Sequence, residues 1–591
     1  MAVDLLGQLR LYPLHEDAKP SYGTAGFRSR AELLPSTVFR CGALMALRAG
    51  ALRQVTGIVI TASHNPEQDN GVKLVDPSGN MLDSTWEGMA DALCQAKTGH
   101  RAMQELTRIK QTWNVTTGGT VMLAHDTRSS ANSLCQAASA GVAAVAGTAE
   151  APLLLATPQL HWMVAQRNQG QPYSEADYFD SLLGAFEQLV STFCSSASAQ
   201  FWRPAFPPSP GKRQSPDSAD FPLLTHLFVP QEVSVDAANG VGASKLAVAS
   251  KRLNLLGLSI KLLNDGKAGG LNSNCGADYV QKEQACPSGF RSVIPGSRCA
   301  SIDGDADRLL YFVPHKTRGI ELLDGDRIAV LAATLLNRIL QGRPAALPDS
   351  SFQEGAAGNE QVQMGIVQTA YANGASTAYV HDCLTSCKVV STPTGVKHLH
   401  HAAAAFNIGI YYEANGHGTI LFSPDMLAML RQGQQGSWQQ ELSLLSKLMN
   451  QAVGDALSGL LLVEYALGRL GWGLQDWIDL YQDLPSRQLK VPVPDRSVFT
   501  TTHAEMRLLT PNALQGLIDS SVAVVEKGRC FVRPSGTENV VRVYAEAASQ
   551  TEADKLANTI AQLIPEHCPV ASNRSGGAYS GWPESLKRWL T

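Results

Sequence analysis

Apolar and polar positions follow two rhythms along the chain. Short strand-like runs, Gly57 to Thr61, Val121 to Ala124, Glu232 to Val235 and Ala300 to Ile302, alternate with longer Ala- and Leu-rich stretches of helical character. That alternation predicts α/β domains. The grammar repeats in units of similar size, and 591 residues are too many for one core, so several domains are expected. Two stretches break the pattern: Cys194 to Asp220, rich in Ser and Pro, and Gly342 to Glu360. Both read as exposed insertions or loops. Beyond Pro565 the composition turns to Ser, Gly and Arg before WPESLKRWL, which reads as a tail with one short helix.

Within this pattern the segment GIVITASHNPEQDNGVKLVDPSG raises a chemical question. Asn65-Pro66 forbids smooth continuation of the strand Gly57 to Thr61 into a helix. Ser63 and His64 therefore fall in a loop before a second strand, Val72 to Val75. A turn serine bonded to its own backbone explains Ser-His-Asn-Pro locally. Those four residues alone favour that reading over a nucleophile presented by a rigid strand end, and the rest of the chain must decide.

Charge and cysteine content narrow the function classes. With 48 Lys and Arg against 52 Asp and Glu, the net charge is −4, so no global basic charge points to nucleic acid. The eleven cysteines are odd in number and scattered, and Cys383 and Cys387 lack the second close pair of a four-cysteine zinc site. They read as reduced thiols of a cytoplasmic protein. The start of the chain lacks a basic and then apolar leader, and Gly141 to Ala156, interrupted by Glu150 and Pro152, is too short for a bilayer.

Three further stretches carry chemistry. In CASIDGDADRLLYF, Asp303, Asp305 and Asp307 alternate just after an apolar run. Three hard oxygen donors so close repel unless a cation compensates, which favours a Mg²⁺ site over a solvated acidic turn. An EF-hand fails, because its sixth position is Arg308 instead of Gly and its twelfth is Pro314 instead of Glu. Arg308 also sets a fixed positive charge beside the cluster. In RCFVRPSGTENVVRVYAEA, the loop Arg533-Pro534-Ser535-Gly536-Thr537 offers hydroxyls, a glycine N–H and a guanidinium fork suited to a phosphate dianion, and Arg542 could add a second fork. Ser535 and Glu538 match a capping-box spacing, yet Val540 to Tyr544 prefer strand. In NIGIYYEANGHGTILFS, Asn415-Gly416 predicts a hairpin turn. Glu413 and His417 on its tip suit either sugar recognition or a solvated turn, and the sequence leaves these open. HDTRSS and KHLHH tempt a metal assignment, but His398 and His401 lack carboxylate or cysteine partners and read as one helix face, so both stretches are set aside. NGVGASK lacks the third glycine of a dinucleotide fingerprint.

Together, the serine, metal, sugar and phosphate loops occur in the order that resembles the α-D-phosphohexomutase superfamily, over most of residues 1 to 550. TASHNPEQDNGVKLVDPSGNML, DGDADR, YYEANGH and FVRPSGTENVVRVYAEA resemble its phosphoacetylglucosamine mutase branch most. The resemblance implies an α/β, four-domain phosphohexomutase-like architecture around a central active-site cleft. The domains expected are 1–175, 176–315, 316–460 and 461–565, with a tail over 566–591. It further implies that Ser63 carries a phosphoryl group and that one Mg²⁺ is held by that group with Asp303, Asp305 and Asp307. Arg28, Lys73 and Arg308 would stabilise transfer, and His64 or Lys73 would handle the sugar proton. Glu413, Ala414 and Asn415 would read the sugar, while Arg533, Pro534, Ser535, Gly536, Thr537 and Arg542 hold the distal phosphate.

The reaction so implied interconverts N-acetylglucosamine 6-phosphate and 1-phosphate through a sugar 1,6-bisphosphate, which also acts as activator. The product would feed UDP-N-acetylglucosamine synthesis; no nucleic acid or membrane partner is implied. A phosphohexomutase for another hexose phosphate is the first alternative, and two readings of other classes also compete. A phosphatase of the haloacid dehalogenase type would use Asp303 as nucleophile and leave Ser63 and the Arg533 loop unexplained. A sugar-phosphate sensor would need neither the serine nor the three carboxylates.

Overall fold

A computed structural model describes residues 5–23, 26–194, 231–316, 319–342, 362–384, 386–431, 437–536 and 539–568. The expected insertions fall mostly outside the described residues, as do Thr537 and nearly all of the tail. The chain forms two compact bodies: Met1–Glu360 with Asn415–Trp477, and Gln361–Ala414 with Ile478–Thr591.

The first body holds two mixed sheets. One contains β1 (Phe27–Arg30), β2 (Thr56–Ile60), β3 (Asp69–Val75), β4 (Thr120–His125), β5 (Thr148–Ala149) and β6 (Leu153–Leu154), in the order β1-β3-β2-β4-β5 with β6 also on β4. β2 runs parallel to β4 and antiparallel to β3. All five β2 residues are buried, as its unbroken small and β-branched run requires of a strand covered on both faces. The helix Pro35–Leu52 starts with Pro in its first turn, where a missing N–H costs nothing. It packs, together with Ala131–Ala144, into the largely aliphatic core over this sheet.

The second sheet contains β7 (Gln231–Asp236), β8 (Leu258–Leu263), β9 (Cys299–Ile302), β10 (Leu309–Pro314) and β11 (Ile320–Leu323), in the order β11-β10-β9-β7-β8. β9 and β10 form an antiparallel pair joined by Asp303–Arg308, so the acidic loop is a hairpin between two fully buried strands. The helix Ala456–Leu470 is buried all round except near Arg469, as expected of a helix apolar on every face. Asp455 caps it through Leu457 and Ser458 N–H and accepts Tyr178 Oη–H at 2.7 Å.

In the second body β12 (Met364–Thr369) runs parallel to both β13 (Cys387–Thr392) and β14 (Ile408–Tyr412). β15 (Gly418–Phe422) follows the hairpin tip and belongs to the first body. The C-terminal part of the second body is an antiparallel sheet. It holds β16 (Ser486–Pro492), β19 (Arg529–Pro534) and β20 (Val540–Glu546) in the order β16-β20-β19, beside a hairpin of β17 (Thr500–Thr502) and β18 (Arg507–Thr510). His398 and His401 are exposed on the helix Val396–Ala403, the helix-face reading. Among the described residues no helix is long and apolar enough to cross a membrane.

Candidate active site

β2 delivers a fully buried Ser63 with φ +53°, a left-handed conformation uncommon for a residue with a Cβ and one that must be held by its surroundings. The holding groups are specific. Ser63 N–H donates to Thr61 Oγ1 at 3.0 Å, and Thr61 donates to Asp126 at 2.6 Å. Arg128 spreads over the loop: Nη2 donates to Ser63 O and Asn65 O, Nη1 to Pro66 O and Asp69 O, and Nε to Asp126. From the neighbouring sheet's loops, Asn272 Nδ2 donates to Ser63 O at 2.8 Å and to Asn65 O at 3.0 Å. Gly304 also closes on the serine, since a Cβ there would lie 2.6 Å from Ser63 O.

Sequence reading set the Asp126-Arg128 stretch aside and missed Asn272. The available signal was topological. β4 lies parallel beside β2, so the residues following β4 emerge next to the serine loop.

The hydroxyl faces the acidic hairpin. Ser63 Oγ donates to Asp303 Oδ2 at 2.5 Å, and Asp303 Oδ1 accepts Asp307 and Arg308 N–H at 3.0 and 3.1 Å. One ligand atom from each of Asp303, Asp305 and Asp307 lies within 4.8 Å of the others, all three residues being buried. Asp305 Oδ1 is buried with no hydrogen-bond partner among the described residues. A buried, unsatisfied carboxylate oxygen in an all-oxygen donor set fits a hard divalent cation such as Mg²⁺.

Local charges show how the loop stays folded. Burial and the neighbouring Asp307 and Asp305 charges push the Asp303 carboxyl well up. Burial works the same way on Asp305 and Asp307, but Lys73, joined by Thr157 at Asp305 and by His417 and Arg308 at Asp307, outweighs it and both sit below their usual range. Lys73 Nζ bridges Asp305 Oδ2 and Asp307 Oδ2 at 2.6 Å each; Thr157 Oγ1 also donates to Asp305 Oδ2, at 2.6 Å. Burial lowers the ammonium's pKa, yet the two carboxylates raise it further, so Lys73 stays charged.

Arg28 is half-buried on β1, and desolvation and Arg308 push its pKa down. It donates from Nη1 to Asn65 Oδ1 at 3.3 Å, while its Nε has no hydrogen-bond partner among the described residues. Arg308 Nε lies 3.9 Å from both Asp303 and Asp307. His64 Nδ1 is 3.4 Å from Ser63 Oγ, and burial, then Arg308 and Arg28, press its pKa to about 2, so the ring is neutral. The structure thus brings Ser63, His64, Lys73, Arg28, Arg308 and the three aspartates together in the first body.

The hairpin tip after β14 is docked. Gly416, at φ +85°, accepts Leu309 N–H on its carbonyl at 3.1 Å, and a Cβ there would lie 2.1 Å from Leu309 O. His417 pairs with Arg308 as an antiparallel bridge, sits 3.3 Å from Asp307 through Nδ1, and is buried. Asn415 Oδ1 accepts His417 N–H at 2.9 Å. The solvated-turn reading therefore fails for Gly416 and His417. Glu413 and Ala414 belong to the second body and are half-buried.

In the second body Arg533 and Pro534 end β19 and Ser535 is buried behind them. Ser535 N–H donates to Val540 O at 2.9 Å, and Arg496 Nη1 donates to Ser535 O at 2.8 Å. Gly536 is exposed. Val540–Glu546 is strand, so the capping-box reading is not realised. Arg542 on central β20 stands opposite Arg533 on one side and Lys490 on the other. Residues directly opposite share a sheet face, so three cations line one row. Lys490 was missed because only strand register reveals it, and Arg496, in the single turn Arg496–Val498, because it meets Ser535 O only in the folded chain.

Comparison with known proteins follows the same residues. Phosphoacetylglucosamine mutase AMG1 domain II and domain III profiles match residues 218–310 and 324–472. The phosphoglucomutase/phosphomannomutase alpha/beta/alpha domain I and C-terminal domain profiles match 43–98 and 489–563. A phosphoacetylglucosamine mutase of Arabidopsis thaliana is 44% identical over 582 residues, 95% of this chain and 97% of the relative. That of Homo sapiens is 40% identical, with 95% and 97% covered. The chain belongs to the phosphoacetylglucosamine mutase family. It therefore has the four α/β domains of the phosphohexomutase superfamily. Among solved members of the family, an Aspergillus fumigatus N-acetylphosphoglucosamine mutase superposes with TM-score 0.84 at 38% identity, covering 96% of this chain and 99% of that one. The Aspergillus enzyme in complex with GlcNAc-6P and magnesium gives TM-score 0.82 at 38% identity, covering 96% and 100%.

Proposed function

We propose that this protein interconverts N-acetylglucosamine 6-phosphate and N-acetylglucosamine 1-phosphate through a phosphorylated Ser63 and a sugar 1,6-bisphosphate. The single observation that carries the reading is the 2.5 Å contact of a buried, left-handed Ser63 Oγ with a carboxylate of the acidic triad, in a chain of this family. The phosphoryl group leaves Ser63 for the free sugar oxygen, giving the bisphosphate; after this turns around, the other phosphoryl returns to Ser63.

Phosphoryl transfer leaves little covalent chemistry for a protein, so positioning and charge stabilisation carry the rate. Asp303, Asp305 and Asp307 would hold Mg²⁺, which supplies charge neutralisation on the transferring group. Arg128 and Asn272 hold the serine backbone. Arg28 and Arg308 present guanidinium charge to a group on Ser63 Oγ, and Lys73 keeps Asp305 and Asp307 ionised and in place. His64 stands 3.4 Å from Ser63 Oγ, where a neutral imidazole can hold a proton at that oxygen. Glu413 and Asn415 read the sugar in both orientations, and Arg533, Ser535, Gly536, Thr537 and Arg542 hold the phosphate that is not reacting.

Phosphorus NMR with Mg²⁺ and a trace of sugar 1,6-bisphosphate tests this. Faster formation of the 1-phosphate from N-acetylglucosamine 6-phosphate than from glucose 6-phosphate supports class and substrate. Release of inorganic phosphate, with a hydroxylamine-labile label on Asp303, would establish a phosphatase instead. Preference for glucose 6-phosphate would retain the mechanism and discard the substrate.

A further inference from the structure

The turn between β17 and β18 has a backbone its sequence does not favour. His503, Ala504 and Glu505 take φ of 50°, 56° and 68° in succession, three non-glycine residues in the left-handed region, where each costs on the order of 1 kcal/mol. The turn is closed by Met506 N–H donating to His503 O at 3.1 Å. It is anchored where Met506 packs against the cluster of Ala370, Phe531 and Tyr544.

The strained turn presents one charged group to the phosphate loop. Glu505 Oε2 lies 3.1 Å from Arg533 Nε, with both side chains largely buried at 16% and 12% exposure. The same oxygen accepts Thr394 N–H at 2.8 Å, so the carboxylate is fixed from two sides. Arg533 is further confined by Tyr371, whose ring centroid is 5.9 Å from the guanidinium carbon. Arg533 stands in the row Lys490, Arg542, Arg533 across three adjacent strands.

We propose that Glu505 is a resident counter-ion of the phosphate site, which weakens its grip on phosphate so that the ligand can leave on every turnover. This rests on the mutase reading, in which the distal phosphate must be released each time the bisphosphate turns. Three like charges in a row hold a dianion strongly and with slow release, because Coulomb attraction in a partly desolvated site is poorly screened. A fixed carboxylate at Arg533 cancels part of that field and repels the arriving phosphate, while its contact through Nε leaves the two Nη groups to form the fork. The backbone strain is the cost of placing this charge here, since a relaxed turn would not carry the carboxylate to both Arg533 and Thr394.

The test uses the full chain and inorganic phosphate as the probe, so that binding is read without turnover. Glu505→Gln keeps the shape and an oxygen for Thr394 N–H but removes the charge. Calorimetry in a Ser63→Ala background should show phosphate bound about fivefold tighter or more. With Ser63 present, KM for the sugar phosphate should fall by a similar factor while kcat also falls. In an Arg533→Gln background the same substitution should change phosphate affinity by less than about twofold. Unchanged or weaker phosphate binding in Glu505→Gln would overturn the proposal and leave Glu505 as a prop for Arg533. An equal gain with and without Arg533 would overturn it as well, by showing a diffuse charge effect. Absence of mutase turnover in the parent, with phosphate still bound more tightly by the variant, would fault the mutase reading and leave the counter-ion standing.

Discussion

Arg128→Lys separates positioning of the reactive serine from simple stability. The lysine keeps a positive charge beside Asp126, so that buried carboxylate is not orphaned. One ammonium cannot replace a guanidinium that reaches the carbonyls of Ser63, Asn65, Pro66 and Asp69 at 2.6 to 3.1 Å. Ser63 O and Asn65 O keep Asn272 as donor, and Pro66 O keeps Asp69 N–H. Few acceptors are therefore stranded, and the stability cost is about 1–3 kcal/mol. The rate should respond far more, because the left-handed Ser63 loses its main restraint and a displacement of ~1 Å at a reacting atom costs about 100-fold. We expect kcat to fall about 100-fold with KM within about threefold, measured by phosphorus NMR beside a thermal melt. A kcat within about threefold of the parent, or a fall explained wholly by KM, would refute the assignment.

Ser63→Ala should abolish turnover while appreciable sugar-phosphate binding persists; equal turnover would remove Ser63 from the mechanism. Lys73→Met leaves Asp305 and Asp307 without their bridging cation, a loss of about 3–5 kcal/mol, and Mg²⁺ should raise the melting temperature of this variant more than that of the parent. Arg533→Ala should weaken substrate binding by about 2–5 kcal/mol, read as a raised KM. Stability should also depend on His161, which burial presses to about 4 although Gly79 O accepts from its ring. The unfolded chain protonates this residue near its ordinary value, so the stability it contributes is complete above about 6.5 and is lost as pH falls toward 4. That amounts to about 2 kcal/mol between pH 7 and pH 5, and His161→Gln should flatten the corresponding part of the unfolding profile.

The chemistry legible in the sequence is the chemistry written in contiguous residues. Ser63 with His64, the alternating aspartates and Arg533 to Gly536 each announce themselves because one loop supplies all the parts. The strands that carry them were legible for the same reason, since burial on both faces leaves an unbroken apolar run in β2 and β10. What stayed hidden depends on which strands are neighbours. Arg128, just past the end of β4, has no apparent consequence until β4 is laid beside β2, and Asn272 acts from another sheet's loop across 209 residues. Lys490 joins Arg542 only through register. Glu505 is marked by backbone angles, which no residue type in His-Ala-Glu foretells.

Lys73, legible in the sequence, and Glu505, hidden from it, share a physical role. A loop built to take a divalent cation carries excess negative charge, and a row built to take phosphate carries excess positive charge; buried and unpaired, either would cost several kcal/mol in the folded state. Lys73 across Asp305 and Asp307 answers the first problem, and Glu505 against Arg533 the second. Each counter-ion stabilises its site before the ligand arrives and opposes the ligand once it does. Affinity is thereby set by a difference between two interactions, so neutralising either residue should change stability and binding together. At Lys73 the variant should be less stable and should depend more on Mg²⁺. At Glu505 phosphate should bind tighter and leave more slowly, which is why kcat and KM should fall together there and should not when a ligand-binding arginine is removed.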